Sequence, residues 1–285
     1  MENRAVKKAI VPVAGFGTRM LPATKAIPKE MLPVVDKPVI QYIVEECANA
    51  GINEIVMITH VSKGAIEDHF SRAEELEASL ARRGKVEILE KVQTTLPNGV
   101  KLHFVQQGEA KGLGHAVLCG QEIIGDEPFA VLLPDVLIET DQGVNNLVEM
   151  MRAYGETGSS QIMVEAVAHE DISKFGIVDT NRVIILPGEH CKMIATVEKP
   201  DPHSAPSNMA VVGRYIFSPS IWQRLENTGV GVGGEIQLTD AMDSLIQEED
   251  VHAFYMRGRS HDCGNRRGYL RAIQAFAGRR RNIDD

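Results

Sequence analysis

The run KAIVPVA (8–14) is apolar on both faces and breaks off at a glycine turn, GFGTR (15–19). A strand buried on both sides belongs inside a parallel sheet with helices over each face. Parallel neighbours need long crossovers, so helices should separate the successive strands. A helix is expected over 38–51, opened by Pro38 and closed before Gly51, and then a strand over 54–60. A charged amphipathic helix is expected over 63–84, with 61–100 as an excursion from the sheet whose surface could serve subunit contacts. A strand at 101–107, a helix at 114–124, a fully apolar strand at 128–135, a helix at 143–158 and a strand at 161–168 continue the alternation.

Beyond residue 168 the strands crowd together, at 176–179, 182–186, 192–198 and 209–217. Helices return at 219–227, 234–248 and 265–278, with a strand at 251–257 between them. The expected class is α/β: a Rossmann-like mixed, mainly parallel sheet flanked by helices. No Pro/Gly/Ser linker divides the chain, so 1–285 reads as a single domain. Its halves are about 1–168 and about 169–285, the second carrying the C-terminal helices. The last residues, RRRNIDD, read as frayed surface, with contact to a neighbouring subunit as the alternative.

The totals exclude several classes. The 285 residues are 44% hydrophobic and 24% charged, the balance of a soluble globular protein. No apolar run approaches the roughly 20 residues needed to cross a bilayer. The N-terminal stretch runs straight into the glycine turn, so it reads as a first strand and not a signal peptide, with the cytoplasm as the default location. A net charge of −9 argues against general nucleic-acid binding, yet a few cations gathered in one cleft still suffice for a small anion. The four cysteines, Cys47, Cys119, Cys191 and Cys263, are evenly spaced, but their surroundings share nothing and no C-x-x-C pair occurs. Reduced thiols are expected.

The glycine turn is neither a P-loop nor a complete dinucleotide fingerprint, because Met20 stands where the third glycine should be. A tight strand exit accounts for Gly15 and Gly17 by themselves. It does not account for the residues after them. Pro22, Pro28 and Pro33 stiffen the segment, and Arg19, Lys25 and Lys29 place three cations within it. Arg19 offers a planar fork to phosphate oxygens, and lysines offer compact charges. The backbone N–H groups of residues 14–18, with Ala14, Gly15, Gly17 and Thr18 among them, can line a concave anion site. In open α/β sheets ligands lie beyond the carboxyl ends of the strands, which selects the loops at 13–30, 107–114 and 135–141 together.

Other positions suit the same cleft. Gln107 ends a strand and carries both a donor and an acceptor, as pairing with one edge of a base requires; a solvated strand-end residue is the plainer alternative. Asp135 follows an apolar strand, where a carboxylate serves either a turn or a magnesium ion. In KFGIVD (174–179) and VEKPD (197–201), Gly176 has no side chain to obstruct a ligand, Glu198 can accept from hydroxyls and Lys199 can neutralise a phosphate, although Glu-Lys-Pro at a strand end is usually plain surface. Glu235 and Asp240 are explained by helix capping and charge at a helix start. No H-E-x-x-H or G-x-S-x-G pattern supplies a nucleophile.

The stretch AGFGTRMLPATKAIPKEMLPV resembles the signature of the sugar-1-phosphate nucleotidyltransferases, and within them that of the bacterial uridylyltransferases. QGEAKGLGHAV, LLPDVLI, KFGIVD, VEKP, MAVVGRYIF, GGEIQLTDAM and DCGNRRGYL resemble further family segments in family order, across nearly the whole chain. The resemblance implies the nucleotide-diphospho-sugar transferase type of sheet, with a nucleotide-binding first half and a sugar-phosphate-binding second half. It implies UTP and glucose 1-phosphate as substrates, UDP-glucose and pyrophosphate as products, and Mg²⁺ as cofactor. It implies that Gln107 and the backbone of Gly112 contact the base with help from Glu30, that Asp135 is the main metal ligand, and that Asp262 matches a metal-binding aspartate. Glu198 would bind glucose hydroxyls, Lys199 the sugar phosphate, and Val211 would line the pocket. Arg19, Lys29 and Lys199 would act in direct in-line transfer. A homotetramer or dimer is implied as well. The competing readings are a sister enzyme using thymidine triphosphate or another sugar phosphate, and a non-catalytic nucleotide-binding regulator. An NAD-dependent oxidoreductase fails on the missing glycine and the crowded cations.

Overall fold

A computed structural model describes residues 5–141 and 143–279. Its main sheet runs through both halves of the chain. From one edge, the strand order is His190–Lys192, Val251–Tyr255, Ser160–Ala166, Met209–Phe217, Phe129–Leu132, Lys8–Pro12, Glu54–Thr59 and Lys101–Gln106. Lys8–Pro12 lies parallel to both its neighbours, and Glu54–Thr59 is parallel to Lys101–Gln106. Met209–Phe217 is antiparallel to the strands on either side of it, and it joins the later strands to the earlier ones. Two shorter strands, Gly176–Asp179 and Ala195–Glu198, pair with each other and touch this sheet through Ile177 and Ala210.

Successive side chains on a strand point to opposite faces, and the central strands show this directly. Ala9, Val11, Ile55, Met57, Ala130 and Leu132 pack into one core with the helix Val39–Asn49 and the helix Asn146–Thr157. Ile10, Val56, Ile58, Phe129 and Val131 pack into the other, under Leu113–Leu118, Ile221–Asn227 and Leu238–Ile246. The ring of Trp222 stacks on Phe129 at 4.5 Å. Both faces are covered, as the doubly apolar first strand requires.

Several elements depart from the sequence expectations. The helix expected over 63–84 is two helices, Gly64–Phe70 and Glu74–Arg82, with a third after them at Val86–Gln93. Ser71 ends the first by turning extended while its hydroxyl donates to Glu67 O at 2.8 Å, a local bond that competes with the helix. The helix expected over 114–124 divides at Gly120, where the backbone presses so closely on Ile10 that an added Cβ would lie 2.5 Å from its Cδ1. Residues 182–186 form no strand: Asn181 and Arg182 take positive φ, and Val183, Ile184 and Leu186 are exposed. Two short strands, Val136–Glu139 and Arg259–Asp262, pair antiparallel with each other and have no counterpart among the expected elements. The RRRNIDD tail lies outside the described residues save for the backbone of Arg279. No described helix is long and apolar enough to cross a membrane, and the four cysteines are free.

Candidate active site

The first strand continues its register into the loop, with Val13 N–H donating to Ile58 O at 2.7 Å. Gly17 then takes φ 66°, and the chain folds back through three short 3₁₀ turns, Thr18–Met20, Ala23–Lys25 and Lys29–Met31. Thr24 closes the fold by donating to Gly17 O at 2.7 Å. The return brings Lys29 against Gly17, where an added Cβ would lie 3.1 Å from Lys29 Cβ. Gly15 has open space around it.

Two carboxylates meet these cations. Asp135 caps the exit of Phe129–Leu132, and Lys29 Nζ donates to its Oδ2 at 2.6 Å. Asp262 arrives from the far end of the chain, because the short antiparallel pair sets it opposite Val136. Arg19 spans both, 3.5 Å from Asp262 and 3.9 Å from Asp135. Gly264 allows this crowding: an added Cβ would stand 2.5 Å from Asp135 Oδ2, 2.8 Å from Arg19 Nη2 and 2.9 Å from Asp262 Oδ1. Lys25 is exposed on its own turn and makes no ion pair among the described residues.

The charges in this cluster reinforce each other. Burial alone would push the Asp135 carboxyl up, but Lys29 and then Arg19 outweigh it and hold it below the usual carboxylate range. Burial pulls at Lys29 in the opposite sense, and Asp135 overcomes that and raises its pKa. Both are therefore ionised at neutral pH. Cys263 adjoins Asp135 but is no nucleophile, because burial and the two aspartates push its thiol up to about 12.

Glu30 lies apart from these groups, although it is the next residue after Lys29. Its side chain is wholly buried and receives a hydrogen bond from Lys63 Nζ at 2.8 Å. Burial raises its pKa in spite of Lys63, and its Oε1 has no hydrogen-bond partner among the described residues.

The Gln107 loop forms one flank. Gln107 Nε2 donates to Gly112 O at 3.1 Å and lies 3.2 Å from His115 Nδ1, so the amide nitrogen is held inside the loop. Gly112 takes φ 101°, and an added Cβ there would lie 2.7 Å from Glu235 Cβ and 2.8 Å from Ile236 O. Two backbone bonds close this contact, Gly114 N to Ile236 O at 2.9 Å and Ile236 N to Lys111 O at 2.7 Å.

The opposite flank gathers the residues expected to meet the sugar. Strand register sets Glu198 opposite Gly176. An added Cβ at Gly176 would lie 3.2 Å from Glu198 Oε2, 3.2 Å from Thr239 Cγ2 and 3.7 Å from Val211 Cγ2, so these four residues wall one small space. Lys199 adopts φ 47°, donates its backbone N–H to Phe175 O at 3.0 Å, and sets Nζ 2.9 Å from Glu198 Oε1. Thr239 donates to Glu198 Oε2 at 3.2 Å. The segment Ile236–Thr239 thus touches the Gln107 loop at one end and the Glu198 pocket at the other.

Residues 8–278 match the nucleotidyl transferase family. The chain belongs to that family. The UTP–glucose-1-phosphate uridylyltransferase of Escherichia coli (strain K12) is 56% identical to it over 277 residues, covering 96% of this chain and 91% of the relative. A UTP-bound UGPase from Acinetobacter baumannii superposes with a TM-score of 0.93 at 44% identity, covering 98% of this chain and 95% of the other. A UDP-glucose pyrophosphorylase solved in complex with UDP-glucose superposes with a TM-score of 0.85 at 38% identity, covering 96% and 100%.

In this nucleotidyltransferase the structure brings Arg19, Lys29, Asp135 and Asp262 together, and separately Gly176, Glu198, Lys199 and Val211. Sequence reasoning missed three supporting residues. His115 orients the Gln107 amide, Thr239 orients Glu198, and Asn265 donates to Asp262 Oδ2 at 2.8 Å while capping the last helix through Gly268 N–H. Each lies inside a segment that resembles the family, but nothing in the spacing reveals its partner. The donor set suits magnesium: two hard carboxylates face each other across Gly264, and magnesium takes one or two carboxylates with phosphate oxygens and water. Among the described residues no cluster of three or more His, Cys, Asp or Glu could form an all-protein cage.

Proposed function

We propose that the chain transfers the uridylyl group of UTP to glucose 1-phosphate, giving UDP-glucose and pyrophosphate, by direct in-line attack. The observation that carries this reading is the continuity of the three sub-sites. The strands leading into the Arg19–Lys29–Asp135–Asp262 cluster, Lys8–Pro12 and Phe129–Leu132, lie between the strand that ends before Gln107 and the strand that carries Val211, and Ile236–Thr239 touches both the Gln107 loop and the Glu198 pocket. The named uridylyltransferase relative and the UTP and UDP-glucose complexes of similar chains support the choice of substrates.

The nucleophile needs no base. A phosphate monoester has a second pKa of about 6, so glucose 1-phosphate is largely dianionic at neutral pH. The difficulty is to bring two anions together in line. Lys199 holds the sugar phosphate, and Glu198 accepts from sugar hydroxyls beside the bare face of Gly176. Backbone N–H groups of Ala14, Gly15, Gly17 and Thr18 cradle the triphosphate, and Arg19 and Lys29 stabilise the departing pyrophosphate. Asp135, with Asp262, would hold Mg²⁺, which screens the phosphate charges when bound. Gln107 keeps its amide oxygen for the uracil N3–H, since its nitrogen is engaged with Gly112 and His115. Glu30, buried against Lys63, contributes by fixing the loop's shape. The setting is a cytoplasmic homo-oligomer.

Pyrophosphate release, measured across a panel of nucleotides and sugar phosphates, tests the proposal. UTP with glucose 1-phosphate should give the highest kcat/KM. Against thymidine triphosphate the thymine methyl should contribute only ~1–3 kcal/mol of discrimination, with the missing 2′-hydroxyl adding to it. Binding of UTP without release of pyrophosphate would instead identify a regulator.

A further inference from the structure

Arg214 is fully buried in the strand Met209–Phe217, and nothing in the transfer step uses it. Its guanidinium is completely satisfied. Nε and Nη2 form a fork on Glu46 Oε1 and Oε2 at 2.9 and 2.7 Å, in the helix Val39–Asn49. Nη2 also donates to Val136 O at 2.7 Å, and Nη1 donates to Leu133 O at 3.2 Å and Gly213 O at 3.3 Å. Five N–H groups thus meet five acceptors.

Two of those acceptors, the carbonyls of Leu133 and Val136, bracket Pro134 and Asp135. The rest of that turn is fastened in the same manner: Leu133 N–H donates to Gly213 O at 2.9 Å, and Cys263 N–H donates to Asp135 O at 2.7 Å. Gly213, at φ 79°, permits the approach, because an added Cβ would lie 2.7 Å from Leu133 Cδ1. The geometry points to Arg214, braced by Glu46, as a positioning residue that sets the backbone turn carrying Asp135. The same brace ties that turn to the helix beyond the cation loop, so Lys29 and Asp135 are positioned from a common frame. A hydrophobic residue would fill the space but would abandon five acceptors, and lysine has too few donors in the wrong geometry to replace the fork.

The inference rests on Asp135 as the metal ligand, and the test separates the two. Glu46→Gln keeps the side chain's length and one oxygen acceptor, while Arg214→Lys removes the fork. Two quantities are measured: the half-saturating Mg²⁺ concentration at saturating UTP and glucose 1-phosphate, and Mn²⁺ affinity for the enzyme–UDP-glucose complex by electron paramagnetic resonance. Each variant should weaken both by about tenfold, the usual consequence of losing a group that orients a ligand. Excess Mg²⁺ should restore most of kcat, and KM for glucose 1-phosphate should not move. Where Arg214→Lys does not fold, Glu46→Gln decides. Wild-type Mg²⁺ dependence and Mn²⁺ affinity in folded Glu46→Gln would overturn the inference, whatever its melting temperature. Asp135→Asn is the control: if it too keeps wild-type metal affinity, the metal assignment fails, and not the brace alone.

Discussion

Asp135→Ala lowers kcat by a factor on the order of 10²–10³, the scale on which preorganised electrostatic groups contribute to a transition state. The substitution removes more than a proposed metal ligand. Asp135 is what outweighs burial at Lys29 and raises that ammonium's pKa, and it is one of two carboxylates paired with Arg19. Without it, Lys29 loses its ion-pair partner and Arg19 keeps only Asp262. The fall in kcat should therefore persist at saturating Mg²⁺, unlike the rescuable effect expected at Glu46. Steady-state kinetics over a Mg²⁺ series reads this directly. Wild-type turnover by purified Asp135→Ala in magnesium would remove Asp135 from the metal site.

Lys29→Ala has an effect of similar size for a different reason. Its side chain is only 16% exposed, with its stem against Gly17 and its ammonium on Asp135. In the proposed mechanism it acts on the leaving group, whereas Lys199 acts on the nucleophile. The forward kcat should fall on the order of 10²–10³. In the reverse direction KM for pyrophosphate should rise, while KM for glucose 1-phosphate in the forward direction holds. A variant whose only defect is weak glucose 1-phosphate binding would place Lys29 on the wrong side of the reaction. Arginine is not expected to substitute fully, because its planar fork cannot occupy the place of a compact ammonium.

Much of the scaffold could be read directly. The strand expected at 209–217 is present with those bounds, and the doubly apolar 8–14 run supplies an interior strand, Lys8–Pro12, with parallel neighbours on both sides. A run of β-branched residues misled where it pairs with no strand: VIIL at 183–186 has the right composition, but Val183, Ile184 and Leu186 are exposed and only Ile185 reaches the core. The reverse failure occurred at RSHD (259–262), which has no apolar alternation and is a strand because Val136–Glu139 offers it one. That pairing carries Asp262 to Asp135, so the meeting of the two carboxylates was hidden along with it.

The site was legible as a set of residue types and only partly as an arrangement. Arg19 and Lys29 stand in one loop, and their convergence follows from a glycine and several prolines. Glu30 differs, because the residue that neutralises it, Lys63, lies 33 positions away in an element whose helical breaks leave no clear mark in the sequence. Side chains that orient other side chains, such as His115, Thr239, Asn265 and Arg214, leave no local pattern. Their role exists only once the tertiary contacts are known.

The central claim is that charge and positioning perform the transfer and that no side chain becomes covalently attached to the uridylyl group. The steric course at the α-phosphorus, traced with a chiral α-thio analogue of UTP and glucose 1-phosphate, tests it most directly. A single in-line displacement gives UDP-glucose with inverted configuration at that phosphorus; retention would demand two displacements and a uridylyl-enzyme, and would contradict the mechanism.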